Sequence, residues 1–536
     1  MNFIVNETSQ KLRGGYYTPF PLARFISKWA ITHKKSKILE PSCGDGVFIE
    51  AAASIDDKNT FLGIEFDKEE AKKSKQQLEN TNLKGEILST DFLSWYLDNP
   101  DKRNTFDSVV GNPPFIRYQY LPEKMQLLAE ELFRRLDLKF TKHTNAWIPF
   151  VIACIELLKP GGRLGMIIPT EIFNVIYAQS LRTFLGKSCS SITIVDPEDI
   201  WFESTLQGAV ILFAEKKIDT TKITDGLGVI RTKGLEFCEQ DPALLIQKIE
   251  RINGSTINSK WTTAFLSKKE YDLFRRLEKI DNIKRFSEIA SVDVGIVTGA
   301  NDFFLVNQET VDSFDLTDFA YPMFGRSDHC PGVIYNKKVH THNVKQGIPS
   351  SFIWIKETDK LNARQKEYIN IGIKQGLPTR YKCRIRKPWY TVPSVYTTNI
   401  GMLKRSHDLP RLIFNEFDAY TTDTAYRIKT TIDDPKRLVY SFINSLTALS
   451  AEIEGRSYGG GVLELVPSEI NKLLIPMTNI PDYDLAHLDQ LVRSKDPECY
   501  LPILDKIILG NIGISEADQT ILFSAWKKLR NRRQRK

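Results

Sequence analysis

The sequence predicts an α/β chain: a Rossmann-like domain on a mainly parallel sheet, followed by a mixed α+β domain. Three observations carry this. Short apolar runs alternate with helix-patterned segments between residues 36 and 215. The first of these runs ends in a Gly-containing turn that opens a helix. Beyond about residue 225 the alternation stops, and shorter strand-like pieces between dense turn residues take over. A boundary is expected near 220–240, giving domains 1–225 and 226–536. A chain of 536 residues is also too long for one ordinary core.

The elements follow in order. "KILE" (37–40) reads as a strand and "VFIEAAAS" (47–54) as a helix. "FLGIE" (61–65) is a second strand, with the helical "DKEEAKKSKQQLEN" (67–80) behind it. "GEIL" (85–88) and "FDSVVG" (106–111) are two more strands. "WIPFVIACIELL" is an apolar helix that "KPGG" (159–162) should stop. "RLGMIIP" (163–169), "SITIVD" (191–196) and "GAVILFAEKK" (208–217) complete the set. Such a rhythm implies a sheet covered by helices on both faces.

Hydrophobic residues make up 42% and charged residues 26%, the balance of a globular protein with ample core. The longest apolar run, Trp147 to Leu158, is too short to span a bilayer and carries Glu156, and no signal-peptide pattern opens the chain. A cytoplasmic protein is expected. The seven Cys form no CxxC, and no Cys/His spacing suits zinc. His340 and His342, the one close His pair, read as a solvated strand face. No disulfide framework and no metal site are expected. Residues 1–225 hold 28 Lys and Arg against 29 Asp and Glu, which leaves 45 against 37 for the remainder. The basic excess therefore lies C-terminally, as suits a polyanionic partner. Seven of those positive charges sit in the final "KKLRNRRQRK", equally readable as a solvated, disordered tail.

Chemistry gathers at three successive strand ends. Gly44 and Gly46 in "ILEPSCGDGVF" let the backbone bend sharply and a ligand approach. Glu65 ends the next strand, where nucleotide-binding sheets place a carboxylate on ribose hydroxyls. Asp91 and Phe92 follow the third, offering an acceptor for an adenine amine and a ring for the purine face. The absent third glycine of G-x-G-x-x-G argues against a pyrophosphate and against NAD. A ligand with adenosine and no phosphate fits, and S-adenosylmethionine is that ligand. Any one of these ends alone would read as an ordinary turn.

The fourth strand ends in Asn112-Pro113-Pro114-Phe115. Doubled Pro cannot continue a strand. The Asn112 side-chain carbonyl and the Pro113 backbone carbonyl can accept both hydrogens of an exocyclic amine, and Phe115 can stack on a planar base. Holding both N–H groups favours a tetrahedral nitrogen with its lone pair aimed at an electrophilic methyl. No Pro-Cys nucleophile accompanies the turn, which argues against cytosine C5 chemistry.

The set "GGYYTP" (14–19), "LEPSCGDGVF" (39–48), "GIEFD" (63–67), "TDFLSW" (90–95) and "GNPPF" (111–115), in this order, resembles the γ-class of adenine-N6 DNA methyltransferases. "GIVTGANDFFLV" (295–306), "RKPWYTVP" (386–393) and the stretch 443–476 are similar to target-recognition regions of Taq-like and type IIG enzymes, so the resemblance covers most of the chain. It implies a Rossmann-like S-adenosylmethionine-dependent methyltransferase domain and a C-terminal target-recognition domain. It places Tyr17 and Thr18 at the methionine end of the cofactor, with Glu40, Cys43 and Gly44 beside it. Glu65 would hold the ribose, and Asp91 with Phe92 the adenine. Phe115 would stack on the flipped base and Phe202, in "IWFES" (200–204), would touch it from another side. Phe115 stands where the class more often has Tyr; either ring can stack.

The expected substrate is double-stranded DNA, read by a monomer in a restriction-modification system. Its cognate nuclease would act separately, since thirteen residues before "GGYYTP" leave no room for one. The best DNA-binding stretch is "IKQGLPTRYKCRIRKPWY" (373–390), which holds Lys374, Arg380, Lys382, Arg384, Arg386, Lys387 and Trp389 and no acid. A solvated strand face is the bland alternative. Arg456 heads "RSYGGG", a Gly run suited to close backbone approach or to a mere turn before a helix. The rivals that stay open are cytosine N4, an rRNA guanine N2, a protein glutamine amide, and a non-catalytic DNA-binding subunit.

Overall fold

The computed structural model describes residues 17–198, 208–252, 260–458, 460–477 and 483–535. The chain forms two compact units, the first ending at Phe265 and the second running Leu266–Gln534.

The first unit is built on one nine-stranded sheet. In chain order come α1 (Phe20–Ala30), β1 (Lys37–Glu40), α2 (Val47–Ile55), β2 (Thr60–Glu65), α3 (Lys68–Glu79), β3 (Lys84–Ser89) and α4 (Phe92–Asp98). Then follow β4 (Phe106–Gly111), α5 (Glu123–Arg135), α6 (Trp147–Leu157), β5 (Leu158–Pro169), α7 (Gln179–Ser188), β6 (Cys189–Pro197), β7 (Ala209–Lys216), β8 (Gly226–Thr232) and β9 (Arg251–Ile252). The spatial order is β3-β2-β1-β4-β5-β7-β6-β8-β9. Strands β1 to β5 are parallel to their neighbours, whereas β7 lies antiparallel between β5 and β6. β8 runs parallel to β6 and extends the sheet past residue 225.

This order sets the position of any ligand. β1 is followed outward by β2 on one side and by β4 on the other. Strand order reverses there, and the loops leaving the two carboxyl ends diverge to opposite faces, which opens a crevice between them.

Local chemistry places the elements. Asp67 and Asp91 cap α3 and α4, accepting from Glu69 N at 2.9 Å and Ser94 N at 2.7 Å. α6 is apolar on nearly every side because it is buried almost completely. "KPGG" does not sit between α6 and a later strand. β5 begins at Leu158 and takes in these residues, with a register shift opposite Phe106 and Ser108 that absorbs them as a bulge.

The second unit has mixed architecture, with sheets of five, four, three and two short strands interleaved with helices. "RSYGGG" is a hairpin rather than a turn before a helix: Arg456–Tyr458 pairs antiparallel with Val462–Glu464. His340 and His342 lie on a helix, Lys337–Lys345, not on a strand, and Nδ1 of His340 meets the Tyr335 hydroxyl at 3.0 Å. The basic C-terminus is part of a packed helix, Glu516–Gln534. Its charges meet carboxylates: Lys527 and Arg530 face Glu498, Lys528 faces Glu270, and Arg533 meets Glu452. Burial of the helix needs these partners, so the tail is anchored rather than solvated. Among the described residues no helix is long and apolar enough to cross a membrane.

Arg533 binds Glu452 in a bidentate pair at 2.9 and 2.7 Å, with both side chains 3% exposed. Glu452→Ala leaves a buried guanidinium without its carboxylate and is expected to cost about 3–5 kcal/mol. Thermal unfolding checks this; an unchanged midpoint would show that the pair is dispensable.

Candidate functional site

The ends of β1, β2 and β4 bring several of the residues that the sequence singles out into contact. The turn after β1 is tied down from both sides. Cys43 N donates to Ile64 O at 3.0 Å and Gly44 N to Glu65 Oε2 at 2.9 Å. Ser74 of α3 donates to Gly44 O at 2.6 Å. Gly44 has a φ of +48° and a Cβ there would meet nothing within 4 Å, so the turn faces open space. Gly46, at φ +88°, starts α2 from the left-handed region, and a Cβ there would lie 3.0 Å from Gln77 Cβ.

Three carboxylates surround this turn. Glu65 accepts from Gly44 N and, through Oε1, from Asp67 N at 2.9 Å. Burial raises its pKa and these backbone donors oppose the rise. Asp45 is half-buried, and burial raises its carboxyl too. Glu40, at the end of β1, is 2% exposed, and its Oε2 has no hydrogen-bond partner among the described residues. Burial pushes its carboxyl well above the usual range, and Asp45 and Glu65 push it further. Such an orphaned acid asks for a cation or a donor.

The Pro-Pro turn lies against this acid. A Cβ built on Gly111 would touch Glu40 Cγ at 3.5 Å and Pro41 Cδ at 3.4 Å. Ser42 donates to Asn112 O at 3.2 Å, and Asn112 Nδ2 donates to Thr18 Oγ1 at 3.4 Å. The Tyr-Thr-Pro element, the glycine turn and Asn112 are therefore one constellation, although 94 positions separate Thr18 from Asn112. Pro113 is buried, and Phe115 packs against the main core of the unit.

Other predicted residues have packing roles as well. Tyr17 is 49% exposed, and its hydroxyl donates to Glu70 Oε1 at 3.3 Å. Asp91 caps α4. Phe92 is 2% exposed, with its ring centroid 4.9 Å from that of Phe150. Phe202 lies outside the described residues. Sequence reasoning passed over Ser42, Asp45 and Ser74. The first two lay inside the glycine motif, but Ser74, a small polar residue on a charged helix, gave no signal.

In the second unit, Leu377 and Cys383 anchor the stretch 373–390 in the core, and Lys374, Arg380, Lys382, Arg384 and Lys387 are exposed. Arg386 instead donates to Thr298 O at 2.8 Å and Val297 O at 2.6 Å. Trp389 packs on Phe303, with centroids 5.3 Å apart. Arg456 Nε donates to the buried Glu469 at 2.9 Å.

Comparison with known proteins agrees with this division. Residues 28–201 match the Eco57I restriction-modification methylase family. Residues 258–509 match the C-terminal domain of the type II methyltransferase M.Eco57I. The type II methyltransferase M.AccI of Acinetobacter calcoaceticus is 25% identical over 85% of this chain and 84% of its own. M.BstVI of Geobacillus stearothermophilus is 25% identical over 58% and 63% of the two chains. Among solved structures, the type IIG restriction endonuclease BpuSI aligns with 97% of this chain and 66% of its own, at 13% identity and a TM-score of 0.44.

The cofactor of such methyltransferases is S-adenosylmethionine, and the crevice suits it. Its sulfonium and ammonium are the cations that an acid-lined turn with an orphaned carboxyl oxygen requires, and it carries no phosphate for these acids to repel. A cation beside Glu40 lowers a pKa that burial has raised, so cofactor binding is expected to release protons. Calorimetry in two buffers of different ionisation enthalpy should detect the release. Glu40→Gln should abolish it and weaken binding roughly tenfold or more, the scale of a charge-assisted hydrogen bond. Unchanged affinity and unchanged proton release would remove Glu40 from the site.

Proposed function

We propose that this relative of the type II restriction-modification methyltransferases transfers a methyl group from S-adenosylmethionine to N6 of an adenine flipped out of duplex DNA. The observation that carries the reading is the seating of Asn112-Pro113-Pro114-Phe115 on the end of β4, against Glu40 and hydrogen-bonded to Ser42 and Thr18.

The cofactor supplies an electrophilic methyl on a positively charged sulfur. Everything else falls to the chain. With Nδ2 of Asn112 engaged on Thr18, the carbonyl end of the amide accepts one N–H of the target amine. The Pro113 carbonyl, on a residue that has no N–H of its own, accepts the other. These two acceptors pull the nitrogen towards tetrahedral geometry and turn its lone pair to the methyl. Phe115 supports the ring by stacking. The amine becomes acidic only as methylation proceeds, so no strong base has to act first. Tyr17, Thr18, Glu40, Cys43, Gly44, Gly46, Glu65, Asp91, Phe92 and Asn112 form the cofactor side in this reading, with Phe202 on the far face of the base.

A base inside a duplex hides N6, and extruding it costs a few kcal/mol. The second unit repays this through phosphate contacts by Lys374, Arg380, Lys382, Arg384 and Lys387. Arg386 and Trp389 hold that stretch to the core. The enzyme acts as a monomer on DNA, and its partner nuclease is a separate protein.

Two measurements test this. Labelled methyl transfer to duplex DNA should fall about 100- to 1,000-fold in Asn112→Ala while DNA affinity holds, the size of effect seen when one preorganised polar group is lost. Turnover unchanged in that variant would defeat the mechanism. Replacing Lys374 and Arg384 together by Ala should lower the slope of log affinity against log salt by about two; an unchanged slope would move the DNA surface elsewhere.

A further inference from the structure

A second polar network adjoins the Pro-Pro turn, on the strand next to it. β4 and β5 are parallel, with Gly111 opposite Met166. β5 ends at Pro169, and Glu171 and Tyr177 lie in the segment that leaves it. Glu171 Oε2 accepts from Asn145 Nδ2 at 3.0 Å and from the Tyr177 hydroxyl, and Asn145 Nδ2 also reaches that hydroxyl at 2.9 Å. The residue after Asn145 completes the link: Ala146 N donates to Ile116 O at 2.9 Å, immediately beyond Phe115.

The network is held from below. Arg182, 1% exposed, donates to Ile172 O at 2.9 Å and Val175 O at 3.1 Å, which secures the loop that carries both Glu171 and Tyr177. Burial raises the carboxyl of Glu171, and Tyr177, the charge of Arg117 and Asn145 oppose the rise in that order. Through Asn145 and the bond from Ala146 N to Ile116 O, Glu171 is tied to the segment leaving the catalytic turn.

We propose that Glu171 is a positioning residue for methyl transfer: through Tyr177 and Asn145 it fixes the segment 115–116 and with it the stacking ring and the amine-holding carbonyls. The proposal rests on the reading that the Pro-Pro turn holds the target amine. A carboxylate suits the task because one oxygen can accept two donors. A catalytic constellation needs placement within about 0.5 Å, and an error of about 1 Å can cost on the order of 100-fold.

The test uses the full chain, unaltered and as Glu171→Gln, Tyr177→Phe and the double variant. Single-turnover methyl transfer, cofactor and DNA dissociation constants and thermal midpoint are measured for each. Expected is a 10- to 100-fold slower transfer in Glu171→Gln, on the order that such misplacement gives. Tyr177→Phe, which removes only one hydroxyl, should be several-fold slower. The double variant should be no slower than Glu171→Gln, since both act through one network. Both dissociation constants and the midpoint should stay as in the unaltered chain. Transfer within twofold of the unaltered chain overturns the assignment, and so does a loss that tracks a lower midpoint or looser cofactor binding. If the unaltered chain itself moves no methyl to DNA, the parent reading fails and takes this one with it.

Discussion

The close contact between the ends of β1 and β4 governs the rest of the catalytic unit. Gly111 lies against Glu40 and Pro41, and Ser42 reaches across to Asn112 O. That contact exists because strand order reverses between β1 and β4, which no rearrangement of loops alone could achieve. It brings an acid-lined, phosphate-averse turn and a carbonyl-rich Pro-Pro turn into one crevice. Each half is ordinary by itself. Joined, they set the orphaned carboxyl of Glu40 beside a carbonyl-rich turn, which is the arrangement the proposed transfer from sulfonium to nitrogen uses.

Much of this was legible in the sequence, because it rests on short-range patterns. The alternation of apolar runs and helices marked the sheet, and the strand-end residues Gly44 and Glu65 meet in the structure. Asn112 to Phe115 could be placed on the same rim because a doubled Pro must end a strand. What was not legible depends on contacts between distant positions. Nothing local marks Ser74 as the clamp on Gly44, or Glu171 as the partner of Asn145 and Tyr177. The extent of β5 was also misjudged: Pro and Gly usually end an element, but here they are absorbed into a bulge.

The second unit shows the limits of reading charge by count. The final ten residues look like a nucleic-acid tail, yet four of their seven cations pair with Glu498, Glu270 and Glu452 in a packed helix. Arg386 and Arg456 likewise bond to carbonyls and a buried carboxylate. In the proposed reading the stretch 373–390 carries the DNA for a different reason: five of its cations are exposed while Leu377, Cys383 and Arg386 tie it to the core. Sequence alone cannot separate an outward cation from an anchored one, since both are written with the same letter.

The most direct measurement is of the product. DNA from a host that expresses this chain and no other modification enzyme can be sequenced by a single-molecule method that distinguishes modified bases by polymerase kinetics. The account predicts N6-methyladenine at a fixed position within one short sequence, and unmodified adenine in DNA from a host carrying Asn112→Ala. N4-methylcytosine at that position, or no modified base at all, would contradict it.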